Sequence, residues 1–188
     1  MNTGYFENEG FNTKNFSEIP LKKGEYENCS FSYCTFSDCA EITFSECEFE
    51  NCDLSNTIIK GTTFRDVSFK NCKLLGLRFD TCNPFLLSFN FEACILNFSS
   101  FYGLTLKKIR FTDCKIHQVD FAETNLQNSK FGNCDLSRAV FENTNLEGAD
   151  MRTAFNFSID PEKNQLKKAR FSTENCRGLL EKYQINLE

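Results

Sequence analysis

Large apolar residues recur at every fifth position along most of the chain, a period that fits neither an α-helix nor an ordinary strand. One series runs without a miss through thirteen members from Phe91 to Met151. Two earlier series, in other phases, run from Tyr26 to Phe36 and from Phe44 to Phe79. Small or β-branched residues lie two positions before these members, so the unit is small, polar, large, polar, polar. This pattern predicts an all-β solenoid that turns a corner every five residues.

The large residues of the last series alternate between Phe and Leu, so residues twenty apart match. Four sides of five residues therefore close one coil, with the large residue and the residue two before it pointing inward. We expect like residues to stack in columns, and coils to be separated by about 4.8 Å, the spacing of paired strands. The predicted columns are Phe91, Phe111 and Phe131; Leu96, Ile116 and Leu136; and Phe101, Phe121 and Phe141.

The five-residue period is interrupted twice. The spacing from Phe36 to Phe44 is eight, which we interpret as three inserted residues at 40–42. The spacing from Phe79 to Phe91 is twelve, and the proline in 82–90 favours a bend there. A bulge or kink suffices for the first break. The second is either a kink or a recognition loop, and its candidate contact residues are Pro84, Phe85 and Leu86.

The period fades after Met151, and Asp160-Pro161 marks a turn. Ser172 or Thr173 is a possible N-cap for a short α-helix, whose apolar residues follow the helical spacing i, i+3, i+4, i+7. This element is expected to cap the last coil, to form a two-fold dimer interface, or both. The candidate interface residues are Cys176, Leu179, Leu180, Tyr183, Ile185 and Leu187.

Three consecutive units, 139–143 (AVFEN), 144–148 (TNLEG) and 149–153 (ADMRT), resemble the A(D/N)LXX pattern of the pentapeptide-repeat family. The resemblance implies that family's right-handed quadrilateral β-helix, here with a short C-terminal α-helical cap. We expect weak repeats or a cap at 1–25, the β-helix at 26–153, and a capping or dimerisation module at 154–188.

The C-terminal segment, with Asp160-Pro161 followed by Ala169, Phe171 and the pair Leu179-Leu180, is similar to that of the quinolone-resistance (Qnr-type) members of the family. Those proteins protect topoisomerases and dimerise tail to tail. The similarity implies a homodimer through the C-terminus and DNA gyrase, or another type II topoisomerase, as a partner.

A net charge of −5 argues against direct nucleic-acid binding, because phosphate contacts need clustered lysine and arginine. No stretch reaches the roughly 18 uncharged apolar residues of a membrane-spanning helix. The N-terminus also lacks the basic start and apolar run of a secretory signal. We therefore expect a cytoplasmic protein with no membrane contact.

Ten of the 11 cysteines fall at or near the small inward position, where free Cys behaves as a small apolar residue. No Cys-x-x-Cys pair is present, and the single histidine, His117, is at an outward position, so we expect no metal and no cofactor. No phosphate loop, nucleophile elbow or Cys/His pairing is visible, which predicts that the protein is not an enzyme.

Because no catalytic or metal site is expected, we expect function to depend on the surface. A DNA-mimicking binder of gyrase needs acidic surface, and residues 1–80 carry 13 Asp or Glu against 8 Lys or Arg. The alternative is a structural or regulatory scaffold with an unrelated protein partner, since a fold does not specify a function. The candidate partner surface consists of Glu46, Glu48, Glu50, Asp53, Asp120, Glu123 and Glu142.

Overall fold

The chain forms a parallel β-solenoid in which each coil lies on the one before it. The computed structural model describes residues 4–186. Four ladders of backbone pairs follow one another at intervals of five residues, which gives the coil four sides, named faces A to D in chain order. Partners in neighbouring regular coils are 20 residues apart, as are Arg110 and Lys130. The predicted all-β solenoid is confirmed, whereas its right-handed sense stays a prediction.

Faces A and B carry the regular strands. Face A is a four-stranded parallel sheet of β1 (Gly4–Glu7), β3 (Gly24–Glu27), β5 (Thr43–Ser45) and β7 (Thr63–Arg65). Face B is a seven-stranded parallel sheet that extends over about six turns. Its strands are β2 (Gly10–Asn12), β4 (Ser30–Ser32), β6 (Glu48–Glu50), β8 (Val67–Lys70), β9 (Phe89–Glu92), β10 (Arg110–Thr112) and β11 (Lys130–Gly132).

Faces C and D consist of single bridges. The face C ladder includes Lys115 paired with Asp135, and the face D ladder includes Asp120 paired with Val140. After β7, face A also continues as single bridges, as between Asn125 and Asn145. Helical structure within residues 4–186 is limited to three short 3-10 helices, Phe79–Thr81, Cys176–Leu179 and Glu181–Tyr183.

The core consists of columns of identical or similar side chains, as predicted. On face B the ring centroids of Phe91 and Phe111 are 5.3 Å apart, and those of Phe111 and Phe131 are 5.0 Å apart. On face D, Phe101 stacks on Phe121 at 5.3 Å. All five rings are fully buried. Burial of one such side chain contributes about 1.5–3 kcal/mol, so these columns account for much of the stability.

The corners explain why asparagine is frequent in the polar positions. The residue two places after a central residue has a positive φ, for example 54° at Asn51 and 59° at Asn128. Asn adopts this left-handed conformation more readily than most side chains. At Gly148 (φ 68°), glycine is also needed for space, because a Cβ there would collide with the amide oxygen of Asn128.

The small inward residue has a second role beyond filling space. Its side chain donates a hydrogen bond to the carbonyl of the central residue on the preceding side of the coil below. Thr124 Oγ1 donates to Phe101 O at 2.8 Å, and Cys52 Sγ donates to Phe31 O at 3.3 Å. Phe101 O also accepts from Leu104 N at 3.1 Å, so the side-chain donor adds a second hydrogen bond to a buried carbonyl.

Two coils differ in length from the rest. Across the first break the pairing offset is 18, as between Phe31 and Phe49; we call this the short coil. Across the second it is 22, as between Phe69 and Phe91; we call this the long coil. The spacing interpreted as an insertion at 40–42 thus corresponds to a coil that lacks two residues, whereas the second break adds two.

The C-terminal segment covers the last coil, but not as an α-helix. The predicted helix is replaced by the 3-10 helices Cys176–Leu179 and Glu181–Tyr183. Asn175 Nδ2 donates to Met151 O at 2.7 Å and to Ala154 O at 2.8 Å, while Gly178 O accepts from Ile159 N. Contacts with the last coil therefore hold this short segment in a conformation that a regular α-helix does not provide.

Candidate interaction surface

The seven predicted acidic residues do not form one surface. Glu46, Glu48, Glu50 and Asp53 follow the chain around face B of a single coil, from the corner between faces A and B to face C. Asp120, Glu123 and Glu142 lie on face D and its corner with face A. Faces B and D are opposite sides of the coil, so the two groups point in opposite directions. Glu142 is also paired with Lys163, at 3.2 Å.

The pairing of the coils brings further acidic residues next to the first group. We call the combined set, without Asp53 on face C, the acidic patch. It covers face B and the adjoining part of face A over the first three coils. No ion pair within the described part of the chain includes any of its members. They are Glu7, Glu9, Glu25, Glu27, Glu46, Glu48 and Glu50.

Four of these residues were missed in the sequence because they were counted as part of a mild overall excess. The signal that identifies them is the column. Glu7 pairs with Glu27 in adjacent coils, and Glu46 directly follows Ser45, the residue that pairs with Glu27. The concentration of carboxylates also affects a neighbour, since a hydrogen bond to Glu27 raises the pKa of Tyr5 to about 12.

The same side of the rod is basic further along the chain. We call these residues the basic patch. All are exposed, and none is in an ion pair within residues 4–186. They are Lys107, Lys108, Arg110, Lys130, Lys167 and Lys168. The side formed by face B and its corner with face A therefore changes sign along its length.

The candidate loop projects from the long coil. Phe85 is 64% exposed and Leu86 is 62% exposed, and Pro84 is exposed beside them. Asn83 anchors the loop, because its backbone N–H donates to Thr62 O at 2.9 Å and its Oδ1 accepts from Phe85 N at 3.0 Å. The loop is thus an apolar projection on a fixed base.

The candidate dimer residues divide into two groups. Leu179 packs against the core, and Leu180 is half-buried. Tyr183 and Ile185 are each 53% exposed, and Cys176 is exposed. Leu187 lies outside the described residues.

Ionic contacts hold the same segment against the last coil. Lys182 Nζ lies 2.6 Å from Asp160 Oδ1 and 2.8 Å from Glu162 Oε2, and its hydrogen bonds to these two carboxylates raise the pKa of Lys182. The segment therefore caps the solenoid and still leaves apolar side chains accessible.

The predicted inward cysteines are at their expected positions except Cys39, which is in register with Ile59 and therefore occupies a large rather than a small inward position. Ten are buried, and Cys176 is exposed. Burial raises the pKa of Cys39 and of Cys47 to about 12, which disfavours the nucleophilic thiolate. His117 Nε2 lies 2.9 Å from Asp135 Oδ2 at the surface. Among residues 4–186, three or more His, Cys, Asp or Glu side chains do not converge anywhere in a geometry suited to a metal ion.

The surface is convex, with shallow depressions on face B. The larger depression, about 530 Å³, is lined by the outward residues of β6, β8, β9 and β10. None of the helices within residues 4–186 is long and apolar enough to cross a membrane. This geometry suits contact with another macromolecule over an extended area rather than enclosure of a small molecule.

Comparison with known proteins agrees with this architecture. A family model described as "Pentapeptide repeat region" matches residues 85–151, and one described as "Pentapeptide repeats (9 copies)" matches residues 26–68. A search of curated proteins gave no match.

Solved structures show a similar fold. Full-length QnrB1, described as a plasmid-mediated fluoroquinolone resistance protein, aligns with a TM-score of 0.59 at 15% identity, over 97% of this chain and 100% of that one. A trypsin-treated variant of QnrB1 aligns with a TM-score of 0.52 at 16% identity, over 98% of this chain and 100% of that one. With matches to two of its models over more than half of the sequence, the chain belongs to the pentapeptide-repeat family.

Proposed function

We propose that the protein is a non-catalytic, cytoplasmic interaction module that binds a protein partner along its rod. The observation that carries this proposal is the acidic patch. Its seven carboxylates are exposed or half-buried, and no ion pair neutralises them within residues 4–186. Uncompensated charge of one sign favours association with a partner of the opposite sign, because it steers the encounter and disfavours other partners.

The partner that we propose first is DNA gyrase or another type II topoisomerase. Two features support this: the likeness of the C-terminal segment to quinolone-resistance members of the family, and the fold shared with QnrB1. In this proposal the acidic patch occupies a site that otherwise binds DNA.

A supercoiling assay with purified gyrase, with and without fluoroquinolone, tests the proposal. We expect protection or inhibition at micromolar protein. Replacing Glu46, Glu48 and Glu50 with Gln is expected to weaken the effect at least about tenfold, since charged contacts contribute strongly to such complexes. The matched control replaces Asp120, Glu123 and Glu142 on the opposite side. Neither protection nor inhibition by the unaltered protein would exclude topoisomerase as the partner.

The alternative is a scaffold with an unrelated partner, and the basic patch favours it. A DNA mimic needs acidic surface along its length, whereas Lys107, Lys108 and Arg110 reverse the sign on this side. A pull-down from the native host with the same two triple variants separates the two functions. Capture of one protein that depends on the acidic patch, without topoisomerase, would support the scaffold.

We further propose that the protein is a homodimer through its C-terminal segment, using the exposed Tyr183 and Ile185. Light scattering should then give about twice the chain mass of 21.7 kDa. Replacement of both residues with Glu should return the protein to a monomer, because charge in an apolar interface is unfavourable. If this replacement leaves the measured mass unchanged, the segment serves only as a cap.

A further inference from the structure

Face B carries the longer of the two sheets within residues 4–186. It is the outer side of a single seven-stranded parallel sheet, from β2 to β11. Near its middle the outward residues are small and polar, Ser68 on β8 and Asn90 on β9, and both are exposed. Small outward side chains at these two positions leave room for another surface to approach closely there.

The charges on face B follow an order that is complementary to itself. Two columns of outward residues line the central depression. One column reads Glu48, Ser68, Asn90, Arg110, from acid through two neutral residues to base. The second column reads Glu50, Lys70, Glu92, Thr112. Reversal of the direction of the rod exchanges the acidic and basic ends of the first column.

We propose that face B is the docking surface for a second copy of this chain, with the two rods antiparallel. The two-fold axis is parallel to the strands and passes between β8 and β9. In this arrangement Glu48 lies opposite Arg110 of the second copy, and Ser68 lies opposite Asn90. Lys70, which already lies 4.0 Å from Glu92 of its own chain, lies opposite Glu92 of the second copy. At the corner with face A, Glu46 lies opposite Lys108. The symmetry repeats each of these contacts, as a two-fold interface requires.

The charges also select this orientation over the parallel one. If the two-fold axis ran along the rod, Glu48 would face Glu50 of the second copy, and like charges in direct opposition are unfavourable. In the antiparallel arrangement two members of the acidic patch, Glu46 and Glu48, lie opposite two members of the basic patch, Lys108 and Arg110, in both halves. One like-charged pair, Glu7 with Glu147, falls at the far corners, outside the sheet.

The size and chemistry of the surface set its expected strength. The seven strands of face B are separated by six steps, so the sheet is about 29 Å long. An interface of this length buries an area near the lower limit for stable protein–protein complexes. Its attraction comes mainly from exposed charges, which salt screens with a Debye length of about 8 Å at physiological ionic strength. Self-association through face B should therefore depend on concentration and weaken as salt is added. It does not require the C-terminal interface.

Analytical ultracentrifugation of the full chain between 50 and 500 mM NaCl tests the proposal, with Tyr183→Glu/Ile185→Glu as the background that removes the C-terminal contact. We expect a monomer–dimer equilibrium that weakens at least about tenfold over this range, in accordance with the screening of charged contacts. Glu48→Arg and Arg110→Glu should each weaken it at least about tenfold, because each replaces two attractions with two repulsions per dimer.

The decisive experiment mixes the two single variants. A chain with Arg at both positions is complementary to a chain with Glu at both, so an equimolar mixture should form a heterodimer although each variant alone is monomeric. The control Glu123→Arg, on the opposite side, should leave the equilibrium unchanged. A background protein that stays monomeric at 50 mM NaCl, an equilibrium unaffected by the two variants, or a mixture that remains monomeric would each overturn the proposal.

Discussion

The short and long coils depart from twenty residues by the same amount in opposite directions, yet the solenoid accommodates them differently. In the short coil the two missing residues come from the side between Phe36 and Phe44, and both Cys39 and Ile42 remain buried. In the long coil the extra residues move outward, which exposes Phe85 and Leu86. The difference shows that the neighbouring coils fix the cross-section of the core. The short coil keeps its inward residues buried although it has two residues fewer, whereas the long coil places its additional residues outside the core.

In the long coil a large inward side chain completes the core. Phe89 occupies an inward position that small residues hold in most other coils, and it is 2% exposed. Its ring centroid lies 5.2 Å from that of Phe79 and 5.3 Å from that of Phe91. A large side chain thus fills the space that the displaced loop leaves beside Phe64.

The largest expected effect comes from removing that side chain. Phe89→Ala should lower the free energy of unfolding by about 3–5 kcal/mol, because it leaves a cavity between packed coils. Phe85→Ala, in the same coil, should change it by less than about 0.5 kcal/mol, because that ring is in solvent. Urea unfolding of both variants measures the contrast. Similar losses for the two would mean that the exposed loop is part of the core packing.

The second prediction asks whether the short coil is as tightly built as a regular one. Thr62 Oγ1 donates to Cys39 O at 2.7 Å in the short coil, and Thr124 Oγ1 donates to Phe101 O at 2.8 Å in a regular coil. Both hydroxyls are buried. Each carbonyl also accepts from a backbone N–H, Cys39 O from Ile42 N at 3.2 Å and Phe101 O from Leu104 N at 3.1 Å. Replacing either Thr with Val retains the shape and removes one of these two hydrogen bonds, at a cost of about 0.5–1.5 kcal/mol.

Equal losses for the two variants, measured by urea unfolding, would show that the short coil is as rigid as its neighbours. A much smaller loss for Thr62→Val would show instead that this corner relaxes or admits water. Thr62→Ser keeps the donor and serves as the control.

The sequence specifies most of this core but not its exceptions. The column of Phe91, Phe111 and Phe131 could be predicted because each coil repeats after twenty residues and the inward positions are fixed within each unit. Phe89 could not, because its role depends on a space that exists only after the loop has moved outward. The periodic pattern predicts which residues a regular coil buries, whereas a break in the pattern indicates only that the coil is not regular.

For the C-terminal segment, by contrast, the sequence pattern predicted a regular element that the structure does not contain. The apolar spacing of Cys176, Leu179, Leu180 and Tyr183 is that of an α-helix, but Asn175 is directed toward the last coil, where it satisfies two carbonyls. A segment this short has little helical stability of its own, so tertiary contacts decide its conformation. For the candidate surface, a count of charges missed what the columns place side by side, as with Glu7 and Glu27.

The third prediction compares the aspartates beside the two irregular corners. A hydrogen bond from Ala40 N lowers the pKa of Asp38, with a further contribution from Lys23. Burial opposes ionisation of Asp80, but the bidentate contact with Arg78, at 2.6 and 2.9 Å, lowers its pKa overall. Each carboxylate is therefore more readily ionised in the folded chain than in the unfolded chain.

The sign of the pH effect follows. A lowered folded pKa contributes stability above the unfolded value of about 3.9, and that contribution is lost as the pH falls through the folded pKa. Asp38→Asn and Asp80→Asn should each reduce stability at pH 7 by about 1 kcal/mol or less, as for other surface pairs. Each should also flatten the decline in stability below about pH 4. Unfolding curves between pH 7 and 2 measure this, and an unchanged slope for both variants would contradict it.

The smallest effect concerns the backbone at the two corners. Glu41 in the short coil has a φ of 60°, and Leu86 in the long coil has a φ of 56°. A left-handed conformation costs an ordinary side chain about 1–2 kcal/mol, and Gly removes this strain but adds freedom to the unfolded chain. We expect Leu86→Gly and Glu41→Gly to change stability by at most about 1 kcal/mol, since the two effects oppose each other. Leu86→Asn relieves the strain without the added freedom, so it should exceed Leu86→Gly in thermal stability. A loss of stability in Leu86→Asn relative to the unaltered protein would show that the loop backbone is not strained.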